Sequence, residues 1–148
     1  DFWVYSLLQS ANIDATAQGS NIKEVDEALK SASKKGTGES GFPDFTAKVK
    51  DFLIVIEDKS DLSKHCKLDS NSCIDLDNIK SITDYAVNGA IHYAKHLAKN
   101  TSFKKIIAIG VSGDEKHHKI SPYFINERGI LDKKLNDLET FTLLNEDI

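Results

Sequence analysis

The chain has 148 residues, 40% hydrophobic and 28% charged, enough for one domain with a real core. No apolar run nears the roughly 20 residues needed to span a bilayer, and the amino terminus lacks the basic-then-apolar order of a signal peptide. A net charge of −4 argues against strong autonomous binding to nucleic acid, whose phosphates are gripped by an excess of cations.

Residues 1–20 begin with Phe2-Trp3-Val4-Tyr5 and Leu7-Leu8, apolar enough to pack as a helix or a docking arm. Asn21 followed by Glu24 is a capping-box-like helix start. Ile22, Val25, Leu29 and Ala32 then recur at helical spacing through about Lys35. Gly36-Thr37-Gly38 and Gly41 predict a turn. Strands are expected over 42–47 and 51–58, joined by a turn at 48–51. Residues 60–78 are polar and read as a long exposed loop. They carry the only cysteines, Cys66 and Cys73, taken as reduced thiols because four spaced zinc ligands are not evident even with His65. Helical spacing returns over 80–98, with Ile82, Tyr85, Ala86, Ala90, Tyr93, Ala94 and Leu97 on one broad face. Residues 104–111 suit a central strand, and Ser112-Gly113-Asp114 a turn in front of a solvated His117-His118 loop. Residues 119–125 form a further strand that Pro122 assigns to an edge or a bulge, since proline removes a ladder donor. Residues 129–148 are expected to be a helix or linker leading out of the domain. The chain opens at Asp1 and contains no methionine, as expected of a fragment. The element order predicts an α/β sandwich with a mixed central sheet flanked by helices.

The chemistry-bearing residues cluster around Gly41-Phe42-Pro43-Asp44-Phe45 and Glu57-Asp58-Lys59. Glu57 and Lys59 share one strand face and Asp58 the other. A hairpin turn at 48–51 brings Asp44 alongside Glu57. Two carboxylates and a lysine at a strand end suit a hard divalent cation and phosphodiester hydrolysis. Each residue also has a plain reading: Asp44 as a turn residue after proline, Glu57 and Lys59 as strand-end charges.

Pro43, Asp44, Glu57 and Lys59 resemble the Pro-Asp, spacer, Glu-x-Lys pattern of the PD-(D/E)xK nuclease superfamily. Together with Ala28-Leu29-Lys30, Ala32-Ser33-Lys34-Lys35-Gly36-Thr37-Gly38, Gly89-Ala90-Ile91-His92-Tyr93-Ala94 and Ile109-Gly110-Val111-Ser112-Gly113, the pattern resembles the amino-terminal endonuclease domain of bacterial restriction–modification proteins fused to an adenine-N6 methyltransferase (Type I or Type IIG-like). The resemblance implies a restriction-endonuclease-like α-β-β-β-α-β core over 21–128. It implies Mg²⁺, with Mn²⁺ as a substitute, held by Asp44 and Glu57, and Lys59 as the catalytic lysine. An extra metal ligand from the first helix falls to Glu24, with Glu27 and Asp26 as competitors. Superfamily nucleases carry Gln-x-x-x-Tyr in the second helix; Tyr93 matches, but Gly89 stands where the glutamine belongs. Lys34, Lys35, Asn88, His92 and Tyr93 are candidates for contacting DNA. The implied partners are double-stranded DNA, methyltransferase and target-recognition domains in the same chain or complex, and a transient dimer for double-strand cleavage, in the bacterial cytoplasm with no membrane. The alternative is a catalytically degenerate module that clamps DNA or docks subunits.

Overall fold

The apolar runs at 52–56 and 106–111 have no polar alternation, which is the mark of strands covered on both faces. In the computed structural model, which describes residues 2–142 and 144, these runs are the two central strands of a six-stranded sheet. In chain order the elements are α1 (Phe2–Ser10), β1 (Thr16–Ala17), α2 (Lys23–Leu29), β2 (Phe45–Val49), β3 (Phe52–Lys59), α3 (Ile79–Asp84), α4 (Ala86–Asn100), β4 (Ile106–Gly113), β5 (His118–Ile125) and β6 (Leu131–Lys134). The sheet runs β1 to β6 in sequence order; β3 and β4 are parallel and every other pair is antiparallel. A parallel pair needs a long crossover, and here α4 supplies it.

Two cores sandwich the sheet. On one face Ile54, Ile56, Ile107, Ile109 and Ile120 meet Val4 and Leu8 of α1 and Phe141 of the tail. On the other, Leu53, Val55 and Ala108 meet Val25 and Leu29 of α2 and Ala90, Ile91, Ala94 and Leu97 of α4. The expected mixed α/β sandwich is thus the observed architecture. Gly110 allows the closest approach: a Cβ there would stand 2.5 Å from Val87 Cγ2 and 2.6 Å from its nitrogen, so the start of α4 lies directly on β4.

Several local expectations are corrected. The first core helix stops at Leu29 rather than near Lys35. Its start is not a capping box, since Ile22 is the N-cap residue and makes no side-chain bond. The helix expected over 80–98 is two helices, broken at Tyr85, which is extended at φ −115° and ψ 135°. Of the two settings expected for the strand holding Pro122, it is not at an edge, because β6 pairs beyond it, but it does carry a bulge, at Phe124/Ile125. Pro122 is tolerated because a residue's N–H and C=O share one side of a strand. Its carbonyl accepts from Leu135 N–H, just past β6, so its missing donor faces the point where β6 ends. Residues 131–134 form this sixth strand within the stretch expected to be a helix or linker; 143 and 145–148 of that stretch lie outside the described residues. No described helix is long and apolar enough to cross a membrane.

Candidate active site

The β2–β3 hairpin decides the meeting of the two carboxylates. Its ladder runs from Val49↔Phe52 to Phe45↔Ile56, so the next residues outward, Asp44 and Glu57, face each other. The Asp44 N–H donates to Glu57 Oε1 at 3.2 Å. Asp44 Oδ2 accepts from the Asp58 N–H at 2.8 Å, and its Oδ1 accepts from Gln18 Nε2 at 3.1 Å. Both carboxylates therefore lie at the end of β3 where it runs parallel to β4, beside Gly110, near enough for the Asp44 charge to act on Glu57. The carboxyl ends of parallel strands are where open α/β sheets take their ligands.

Glu57 is only 2% exposed. Burial pushes its carboxyl up to about 7, and the negative Asp44 adds to the rise, while Lys34 and Lys59 oppose it. The strongest of these partners is Lys34, whose Nζ donates to Glu57 Oε2 at 2.6 Å. Lys34 arrives because the chain after α2 folds back on itself: Ser33 N–H bonds the Glu39 carbonyl and Gly41 N–H the Leu29 carbonyl. Gly41 has to lie close here, since a Cβ would stand 2.8 Å from the Ala32 carbonyl oxygen. The Lys34 ammonium also sits 5.5 Å from the centre of the Tyr93 ring. Tyr93 is nearly buried, and its phenol is held well above the usual range, first by burial and then by Glu57 and Asp44. The Phe42 main chain hydrogen-bonds its oxygen, which anchors the segment carrying Asp44. Lys59 is half-buried on the same strand face as Glu57.

Gly89 now has a physical account. A Cβ at this position would stand 3.2 Å from both Glu57 Oε2 and Lys34 Cε, and 3.0 Å from the Ile82 carbonyl oxygen. The space a glutamine would fill is occupied by the Lys34–Glu57 pair.

Other residues singled out from the sequence fall elsewhere. The Glu24 carboxylate accepts from the Ser102 N–H and, at 2.8 Å, from its hydroxyl. Ser102 lies past the carboxyl end of α4; Gly89 lies at its start, roughly 16 Å away at 1.5 Å per residue. The geometry thus removes Glu24 from the carboxylate pair. Glu27 pairs with Lys30 at the surface and does not replace it. Asn88 is fully buried and does not face outward: it accepts from Lys67 N–H and donates to the Lys67 and Asp75 carbonyls. All three of these bonds go into pinning the 65–76 loop. His92 bonds the Ala32 carbonyl through Nε2 at 2.9 Å and tethers α4 to the end of α2. Lys35 is exposed, next in the chain to Lys34. Asp58 points to the opposite face, as its strand position requires. Cys66 and Cys73 are both free.

Sequence reasoning missed a second polar cluster. His65 Nδ1 lies 2.7 Å from Ser112 Oγ and its Nε2 2.7 Å from Ser121 Oγ. Ser121 gives its proton to Asp137 at 2.8 Å, so it accepts from His65 Nε2–H, and Nδ1 accepts from Ser112. Lys134 closes the chain on Asp137 at 2.7 Å. Burial lowers the imidazole to about 4. Ser112 is the register partner of Lys59, so this cluster fixes the turn that follows the Glu57–Lys59 strand end. No local pattern announces it, because its members are spread over seventy positions of chain.

The donor set fits a hard divalent ion. Among the described residues no group of three or more His, Cys, Asp or Glu side chains gathers, which disfavours a zinc-type cage. A Mg²⁺ site in general needs only one or two carboxylates, with waters and phosphate oxygens completing the shell, and Asp44 with Glu57 would meet that need. A buried carboxylate raised to about 7 is a group whose ionised form needs a cation.

Comparison with known proteins finds similarity to the Type II restriction enzyme and methyltransferase RM.BcgI of Heyndrickxia coagulans, 37% identical over 142 residues. The match covers 95% of this chain and 22% of that protein, so the chain spans about a fifth of its relative's length. No family model matches the chain, and no solved structure matches it.

Proposed function

We propose that this chain is the magnesium-dependent endonuclease domain of a restriction–modification protein, of PD-(D/E)xK type, hydrolysing DNA phosphodiester bonds. The observation that carries the reading is the adjacency of Asp44 and Glu57 across the β2–β3 ends with Lys59 on the same face. The likeness to a restriction enzyme and methyltransferase supports the context. It also supports a methyltransferase region as a partner elsewhere in the protein; a target-recognition region that chooses the DNA sequence is part of the same proposal.

Asp44 and Glu57 would hold Mg²⁺, with Mn²⁺ as a substitute. When bound, the ion acidifies water and offsets charge on phosphate oxygens. Asp44 is oriented by the Asp58 N–H and Gln18, so one carboxylate face is fixed and the other lone pairs remain for the ion. Lys59 orients the attacking water and stabilises charge developing on the phosphate. Lys35, exposed and next in the chain to Lys34, contacts the DNA backbone; double-stranded DNA is the substrate. Two copies meeting transiently would cut both strands.

The test is cleavage of duplex DNA in Mg²⁺ by Asp44→Asn and Lys59→Met proteins. Loss of about 10²- to 10³-fold, with thermal unfolding preserved, is expected when a charge stabiliser of the reacting phosphate is removed. Undiminished cutting by both removes the assignment. Calorimetric titration with Mn²⁺ separates it from a catalytically degenerate clamp, which has no need of an ion at Asp44 and Glu57.

A further inference from the structure

The Lys34–Glu57 pair is an unusual investment for a short surface segment. The two side chains are 16% and 3% exposed, and the N–O distance of 2.6 Å is short even for a charged pair. Its oxygen belongs to a carboxylate that the proposed function gives to a divalent ion. Oxygen ligands stand about 2.1 Å from Mg²⁺. With Nζ 2.6 Å from Oε2, an ion on that oxygen would lie less than about 5 Å from the ammonium. Burial leaves little water to screen the repulsion. The two cations therefore compete for one carboxylate.

Lys34 is also built to leave. It sits on a short segment closed by main-chain bonds from Ser33 N–H to Glu39, Gly36 N–H to Ser33 and Gly41 N–H to Leu29. Within it Gly36 and Gly38 take positive φ at the exposed surface. Its ammonium lies beside the Tyr93 ring, 5.5 Å from the centroid, at the end of a flexible four-carbon stem. A lysine moved off Glu57 by a short rotation still stands at the mouth of the site.

We propose that Lys34 is a stand-in cation: its ammonium holds Glu57 until a divalent ion takes the carboxylate, and then turns outward to become a second phosphate-contacting lysine. This rests on the endonuclease reading, in which Asp44 and Glu57 are the ion's ligands.

The experiment uses the whole protein stripped of divalent ions and then titrated with Mn²⁺ alone. Binding is followed calorimetrically, and acylation of Lys34 by an amine-reactive ester is followed by peptide mass spectrometry. The expected result is slow labelling of Lys34 without Mn²⁺ and several-fold faster labelling at saturation. Exposed Lys35 serves as an internal standard that does not change, and Asp44→Asn abolishes the effect together with ion binding. Mn²⁺ binding without any change at Lys34 overturns the stand-in role and leaves the ion site intact. Absence of Mn²⁺ binding overturns both the stand-in role and the site. Faster labelling that persists in Asp44→Asn, where no ion binds, also overturns the proposal.

Discussion

The Glu57 carboxyl makes a definite demand on the pH dependence of folding. It is buried and raised from 4.5 to about 7, and each unit of difference between folded and unfolded states is worth about 1.4 kcal/mol. Below pH 4.5 both states keep the proton and stability is undiminished. Between 4.5 and about 7 the unfolded chain ionises while the fold retains the proton, so stability falls as pH rises. Above 7 the whole cost, about 3 kcal/mol, is present. Glu57→Gln keeps the shape and removes the titration. The pH dependence of the difference between the two proteins therefore belongs to Glu57, including its coupling to Lys34. The stability of the parent relative to the variant should therefore drop by about 3 kcal/mol from pH 4.5 to pH 8. For a chain of this size that is roughly 6–12 °C in unfolding midpoint. The assay is thermal unfolding in EDTA, scanned in pH for both proteins, then repeated with Mn²⁺. Added ion should rescue the parent above pH 7, because it binds the ionised carboxylate, and leave Glu57→Gln unchanged. A parent–variant difference that stays flat across the window would refute the argument that burial governs this carboxylate.

Two further expectations concern the loop beside the site. Asn88→Ala strips the Lys67 N–H and the Lys67 and Asp75 carbonyls of their buried partner. It should cost about 3 kcal/mol and speed amide exchange at Lys67; unchanged exchange would mean that the loop holds itself. His65 is held neutral, with its imidazole lowered to about 4, so its stabilising bonds are complete above pH 6.5 and lost as pH falls toward 4. Circular dichroism should show His65→Asn to have a weaker acid dependence over that window than the parent, and an identical profile would rule out the buried, neutral imidazole.

Much of the architecture was legible from local chemistry. The unbroken apolar runs around Ile54 and Ile107 read as central strands because a strand covered on both faces has no polar phase. Period-2 geometry put Glu57 and Lys59 on one face and Asp58 on the other. The hairpin and the approach of Asp44 to Glu57 followed from two adjoining strands and a short turn. The errors lie where a residue's neighbour is remote in sequence. The tail became β6 because an open edge of β5 offers backbone partners that outweigh a weak helical composition. Glu24 and Asn88 have the right chemistry for a site, but their hydrogen bonds go to Ser102 and to the 65–76 loop, which no spacing discloses.

What the chain's own sequence determined was the type of each central element, the alternation of side chains along β3, and the pairing of Asp44 with Glu57, all set by interactions within a few residues or across one turn. Tertiary structure alone decided that Lys34 reaches Glu57, that Gly89 leaves it room, and that His65 joins Ser112 to Ser121. These contacts depend on how α2, α4 and the long loop settle on the sheet. That is fixed by the summed packing of two cores rather than by any local signal.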